Sequence, residues 1–224
     1  MRLVPLPQAL RRLTPGRLRD DPRLRALAVG AGLIPPRTMH TRGEAALLDE
    51  LAGGCRRVVE IGVYEGSSAL VLIKALDREA TLHLIDPFGH QPGALRAGWA
   101  ATEWATKRVI ERSRARAGAC APRVVWHVQR SEDAARGWSQ PIDVLFVDGD
   151  HTEAGCALDW ELWNEHVKPG GHIVFHDARS APGGPPGIAG PIAVVDRLFR
   201  AGGGAQGWEI AREVDRAVAV RRLP

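Results

Sequence analysis

Two apolar stretches of the sequence end in residues able to handle protons and cations. Residues 142–147 run into Asp148-Gly149-Asp150-His151, and residues 172–175 run into His176-Asp177. If these stretches are neighbouring strands, their tips lie about 5 Å apart, so Asp148 and Asp177 share one crevice. Two carboxylates that close repel, and one is pushed neutral unless a cation bridges them. A hard divalent ion such as Mg²⁺ suits oxygen ligands and lowers the pKa of a nearby hydroxyl, so that its oxygen can attack. Asp150 and His151 are the candidates for the general base, His151 because its ordinary pKa lies nearest neutrality.

A third apolar run, residues 57–61, leads through Glu60 into Gly62-Val63-Tyr64-Glu65-Gly66-Ser67, and a fourth, residues 81–85, ends at Asp86-Pro87. Gly62 and Gly66 allow a ligand close to the backbone, but their spacing is not that of the G-x-G-x-x-G dinucleotide fingerprint. A pyrophosphate here would be repelled by Glu60 and Glu65, whereas a ligand carrying an ammonium and a sulfonium would be attracted. Asp86, 24 positions after Gly62, stands where an acid accepts the hydroxyls of a ribose. Ribose together with positive charge points to S-adenosylmethionine.

These residues must be carried by elements that bring strand ends together. Strands are expected at 57–61, 81–85, 123–128, 142–147 and 172–175, and helices at 41–51, 67–76, 99–117, 132–138 and 152–167, the last stopped by Lys168-Pro169-Gly170-Gly171. Such alternation predicts a doubly wound parallel sheet with right-handed crossovers, whose ligands sit beyond the strands' carboxyl ends. After a Gly/Pro-rich loop and a helix at 192–199, runs at 208–214 and 217–221 joined by Asp215-Arg216 have the spacing of a hairpin.

EIGVYEGSS, LIDPF, FVDGDH and KPGGHIVFHD, in this order, resemble the class I S-adenosylmethionine-dependent methyltransferases, specifically the small-molecule O-methyltransferases of the macrocin and catechol types. The resemblance covers about residues 41–222. It implies a Rossmann-like, doubly wound seven-stranded sheet with a C-terminal antiparallel hairpin. It places the cofactor against Glu60, Gly62, Tyr64, Glu65, Gly66, Ser67, Asp86, Ser131 and Asp148. Of these, the acid after the first strand would lie near the methionine moiety, Asp86 on the ribose, and Ser131, between Arg130 and Glu132, at the adenine. In metal-dependent relatives the ligands map to Asp148, His176 and Asp177. His176 departs from the usual pair of oxygen donors and brings a borderline ion such as Mn²⁺ into consideration beside Mg²⁺. For the base, the resemblance favours Asp150.

The net charge is +4, with a pI of 9.4, which looks like a nucleic-acid signal until it is located. Residues 1–30 hold seven arginines against two aspartates, leaving the remainder at −1. Residues 1–36 therefore read as a basic, proline-containing arm or cap, and 37–224 as the catalytic domain, with no nucleic-acid partner. No apolar run approaches the roughly 20 residues that span a bilayer. The odd set Cys55, Cys120 and Cys156 lacks metal-type spacing, so reduced thiols and a cytoplasmic location are expected. The expected partner is a small hydroxylated methyl acceptor; association into a homo-oligomer is left open. The competing readings are an NAD-dependent oxidoreductase, disfavoured by the missing third glycine and the acidic turn, and a cofactor-binding protein without catalysis.

Overall fold

Seven strands form one mixed sheet in the computed structural model, which describes residues 21–89, 97–181, 183–184, 186–200 and 204–224. The strands are β1 (Arg57–Ile61), β2 (Thr81–Ile85), β3 (Arg123–His127), β4 (Ile142–Val147), β5 (Val167–Phe175), β6 (Trp208–Val214) and β7 (Ala217–Arg222). Their order is β3-β2-β1-β4-β5-β7-β6. The first five run parallel, and β7 pairs antiparallel with both β5 and β6. The seven-stranded sheet and its closing hairpin agree with expectation.

Helices cover both faces. They are α1 (Pro22–Gly30), α2 (Arg42–Ala52), α3 (Ser67–Ala75), α4 (Ala97–Ala117), α5 (Ser131–Ala135), α6 (Glu153–Trp163) and α7 (Ala189–Val195). All six residues of β4 are buried, as a central strand covered on both faces requires. Alternate residues serve opposite layers: Val58 and Val144 pack under α2 and α3, and Val59 and Leu145 under α6 and α7. Trp160 and Trp163 of α6 lie in the second layer. Each large side chain so buried contributes about 1.5–3 kcal/mol.

Register decides where the site falls. Ile61 pairs with Val147 and Val147 with Phe175, so β1, β4 and β5 end level. The ladder runs one residue further, Asp148 N–H donating to Ile61 O at 2.8 Å and His176 N–H to Val147 O at 3.0 Å. Gly62, Asp148 and His176 therefore stand side by side at the switch point between β1 and β4, where open α/β sheets bind ligands.

Among the boundaries that differ from the sequence expectation, three have a local structural feature. Lys168-Pro169-Gly170-Gly171 does not precede β5 but bulges within it, because pairing jumps from Ile142–Val167 to Val144–His172. Pro169 has no N–H to give the ladder, and Gly170 takes φ 78°, so the chain loops out and rejoins. α6 stops at Trp163 and tightens into a 3₁₀ turn, Asn164–His166. α7 begins earlier than expected and runs into a π-helical turn, Asp196–Arg200.

The proposed division at residue 36 falls between α1 and α2. α1 packs Ala26 and Val29 against Ala105 and Val109 of α4, while Arg112 donates to the carbonyl of Val29 at 2.8 Å and to that of Gly30, closing the helix's C-terminus. The arginines at positions 2–19, most of the loop after Phe88, the Trp99 side chain and Pro182 lie outside what is described. Among the described residues no helix is long and apolar enough to cross a membrane.

Candidate active site

The first turn is held by the acid of the second strand. Asp86 accepts the N–H groups of Val63 at 2.9 Å and Tyr64 at 2.8 Å on one oxygen, and that of Phe88 at 2.7 Å on the other. Burial raises its pKa, and these three N–H donors oppose the rise. Tyr64 and Phe88 adopt φ 51° and 43°, left-handed conformations that cost a bulky residue about 1–3 kcal/mol and are kept only where surrounding contacts impose them. Gly62 needs its missing side chain for another reason: a Cβ there would lie 2.1 Å from the carbonyl oxygen of Asp148. Gly66, at φ 84°, opens α3 without any side-chain cap, and Ser67 is its first residue.

The two glutamates whose charge the sequence puts at this turn differ from that picture. Glu60 is fully buried, receives the hydroxyl proton of Ser68, and is pushed by burial up to about 8. It is therefore mostly neutral at pH 7. Glu65 is charged but paired, both its oxygens taking Arg25 donors at 2.7 Å and one also the N–H of Arg37 at 2.6 Å.

At the ends of β4 and β5, Asp148, His151, His176 and Asp177 offer ligand atoms within 4.8 Å of one another. His176 Nδ1 lies 2.9 Å from Asp148 Oδ1 and 3.5 Å from Asp177 Oδ2, and its Nε2 lies 3.3 Å from Glu44 Oε2. With carboxylates on both sides, both ring nitrogens donate and the ring is an imidazolium. Burial would lower its pKa, but the three acids outweigh burial and raise it to about 11. His151 Nε2 sits 3.3 Å from Asp148 and 3.4 Å from Asp177, and these acids raise it to about 9. That nitrogen is buried and makes no hydrogen bond. Asp177, at φ 53°, is held well below the usual carboxylate range: burial pushes it up, but His151, His176 and Arg216 prevail.

Glu44 and Arg216 belong to the same cluster and were not anticipated from sequence. Glu44, 1% exposed, closes a capping box with Thr41 at the start of α2 and accepts the Arg216 N–H at 2.9 Å. Arg216, from the β6–β7 turn, reaches Asp177 at 2.5 Å. The T-x-x-E spacing announces the capping box, yet nothing local announces that its glutamate faces a histidine 132 positions away.

The remaining expected residues are placed apart from this cluster. Asp150 is exposed and turned toward α6, accepting the Thr152 N–H at 2.8 Å. Ser131, at the start of α5, gives its hydroxyl proton to Asp159 of α6.

The donor set fits a divalent cation. Two ligands opposite one another at about 2.1 Å span about 4.2 Å, slightly less than the spread observed. With His176 as a nitrogen donor beside the carboxylates of Asp148 and Asp177, the set suits Mn²⁺ to Zn²⁺ better than Mg²⁺. The cluster is also self-consistent without an ion, since Asp148, Asp177 and Glu44 face the cations of His151, His176 and Arg216, so an ion must displace protons.

A family model described as a methyltransferase domain matches residues 59–178, from within β1 to just past Asp177. Among solved structures, the O-methyltransferase TomG of Streptomyces achromogenes, involved in tomaymycin synthesis and solved in complex with SAM, is 20% identical with a TM-score of 0.59, over 92% of this chain and 91% of that one. A Corynebacterium glutamicum protein is 18% identical with a TM-score of 0.59, over 97% of each chain. A Bacillus cereus O-methyltransferase solved with SAH is 17% identical with a TM-score of 0.56, over 96% of each. At these identities the likeness to solved structures is one of fold. With the family match spanning more than half of its length, from the first strand to the His-Asp cluster, the chain belongs to this family of methyltransferase domains.

Proposed function

We propose that the chain transfers the methyl group of S-adenosylmethionine to a hydroxyl oxygen of a small molecule. The observation that carries this is contiguity: the glycine turn after β1 touches the backbone of Asp148, so a donor bound at that turn presents its methyl group beside the His-Asp cluster. SAM and SAH bound to TomG and to the Bacillus cereus enzyme support the choice of donor. Asp86 is the ribose acceptor in this reading, with lone-pair capacity left beyond its three backbone donors. The uncapped start of α3 at Gly66 and Ser67 suits the donor's carboxylate, and Tyr64 and Glu65 shape the turn around it.

The acceptor oxygen attacks the methyl carbon in line with the carbon–sulfur bond. The new C–O bond forms as C–S breaks, the bonding pair stays on sulfur, and S-adenosylhomocysteine leaves as a neutral thioether. The hydroxyl proton goes to His151 Nε2 in its neutral form. His151 stands at the rim of the cluster with a half-buried side chain, whereas Asp150 is engaged at the helix start. Asp148, His176 and Asp177 are the residues that would hold a divalent cation. Bound there, it supplies positive charge that lowers the pKa of an acceptor hydroxyl and of His151 itself. Glu44 and Arg216 fix His176 and Asp177 from behind, and most of the acceleration is positioning. A small acceptor, rather than a nucleic acid, accords with a body that is near neutral once residues 1–30 are set aside.

Calorimetry with S-adenosylhomocysteine and, separately, NAD tests the donor. Methyl-labelled S-adenosylmethionine with a panel of catechols, sugars and macrolides, each with and without Mn²⁺ or Mg²⁺, tests the transfer. Binding of the homocysteine product and label on a hydroxyl are expected; uptake of NAD in its place overturns the reading.

A further inference from the structure

Four of the eight large apolar side chains left exposed among the described residues gather on α1, the turn after it and the adjoining part of α4. Leu24 and Leu27 are 40% and 54% exposed, Leu33 70% and Trp104 45%. At about 3.6 residues per turn, Gly30, Arg23, Leu27 and Leu24 follow one another round α1 from the buried Ala26. Trp104 covers Gly30 so closely that a Cβ there would lie 2.1 Å from its ring. The tryptophan thus adjoins the side of α1 that carries the leucines. Apolar groups clustered on a surface in this way mark a place of interaction.

The same face is basic. Trp104, Arg108, Arg112 and Arg116 recur every four residues, the spacing of one stripe along a helix. Arg23, Arg108 and Arg116 are exposed, and none of them meets a carboxylate among the described residues. Burial first, then the like charges of Arg108 and Arg116, lower the pKa of Arg112. The nearby acids are engaged: Asp21 caps α1 through the N–H groups of Arg23 and Leu24, Glu103 pairs with Lys107 at 2.6 Å, and Glu111 faces Arg114 at 3.4 Å. In sequence, residues 1–20 add five arginines against one aspartate directly before α1.

Unpaired arginines beside exposed leucines and a tryptophan match the two layers of a membrane surface, phosphates above and acyl chains below. A nucleic acid would meet the arginines but offer the leucines no apolar phase. A second copy docked face to face would set these arginines against their own equivalents. We propose that this face of α1 and α4 docks on an anionic lipid bilayer, with Leu24, Leu27 and Trp104 entering the headgroup boundary and Arg23, Arg108 and Arg116 meeting lipid phosphates. Such docking needs no spanning helix, and nothing in it depends on the methyl donor.

Co-sedimentation of the full chain with vesicles of phosphatidylcholine alone, and of phosphatidylcholine mixed with phosphatidylglycerol, tests this at about 0.1 M salt. Mixed vesicles should retain the protein and neutral ones should not. Arg108→Glu with Arg116→Glu should lower partitioning by at least about twentyfold, at roughly fivefold for each arginine lost. Leu24→Ser with Leu27→Ser, which keeps every charge, should lower it too, and circular dichroism checks that both pairs fold; if the serine pair does not, Leu27→Ser alone takes its place. Retention by neutral vesicles, or undiminished binding after either set of substitutions, overturns the proposal. So does tighter binding to duplex DNA that the serine substitutions leave unchanged, or a dimer in sedimentation velocity that they dissolve, which would assign the face to a second copy.

Discussion

Arg25 meets Glu65 across forty residues of sequence, its Nε and Nη2 each 2.7 Å from a different carboxylate oxygen. The pair is mostly shielded from water, with side chains 13% and 7% exposed. Through it α1 is fastened to the turn that carries Tyr64 and Gly66, which Thr106 of α4 also grips through the Tyr64 carbonyl at 2.5 Å. Part of the basic N-terminal segment is thus built into the wall of the candidate site.

Arg25→Ala leaves a shielded carboxylate without its fork of donors. Loss of hydrogen bonds to a charged group should lower stability by about 1.5–3 kcal/mol, read by chemical denaturation. Binding of S-adenosylhomocysteine should weaken as the turn loosens. Arg25→Lys, a point charge in place of a fork, should recover only part of either effect. Unchanged stability and affinity would make α1 a passenger.

The strands were legible because each is a short β-branched or apolar run closed by turn residues, and because chemistry-bearing residues follow at their carboxyl ends, as with Asp86, Asp148 and His176. Contacts between distant segments were not. Nothing near Arg25 names Glu65, nothing near Glu44 names His176, and nothing near Ser131 names Asp159; each pairing exists only once crossovers bring helices over strand ends. The charge of Glu60 was misjudged for the same reason, since the residue type supplies a carboxylate but the fold supplies the burial that neutralises it.

Glu60 gives stability a defined slope with pH. Its folded pKa of about 8 exceeds the ordinary glutamate value of about 4.3, so between those values the native state holds a proton that the unfolded chain has lost. Its contribution is present at low pH and lost as pH rises through this window, by at most about 1.4 kcal/mol per unit. Glu60→Gln removes the slope. The difference in stability between wild type and variant should therefore change steadily from pH 5 to pH 8; a constant difference would show that the carboxyl is ionised throughout.

Cation binding at Asp148, His176 and Asp177 must compete with protons. With His176 raised to about 11 and His151 to about 9, an ion enters only as protons leave, and its affinity should rise as much as tenfold per pH unit for each proton displaced. Titrating Mn²⁺ or Zn²⁺ at pH 6.5, 7.5 and 8.5 measures this slope, and His176→Ala should flatten it. An affinity independent of pH would mean that carboxylates alone hold the ion.

Asp150 and His151 are neighbours in sequence with separate fates in the fold, and substitution should separate them functionally. His151→Ala removes the proton acceptor facing Asp148 and Asp177 and should lower turnover by about 10²–10⁴, leaving affinity for S-adenosylhomocysteine near that of the wild type because the turn after β1 is untouched. Asp150→Ala removes the bond to the Thr152 N–H at the entry to α6, a loss of the capping kind that costs about 0.5–2 kcal/mol of stability, while turnover at a temperature well below melting should stay close to wild type. The pH profile adds a readout that mere loosening of the helix would not move: turnover of the metal-free wild type should climb toward pH 9 as His151 loses its proton, and Asp150→Ala should keep that climb. If Asp150→Ala is instead the variant that stops the reaction, the base is the exposed aspartate, and α6 must turn it toward the crevice when acceptor binds.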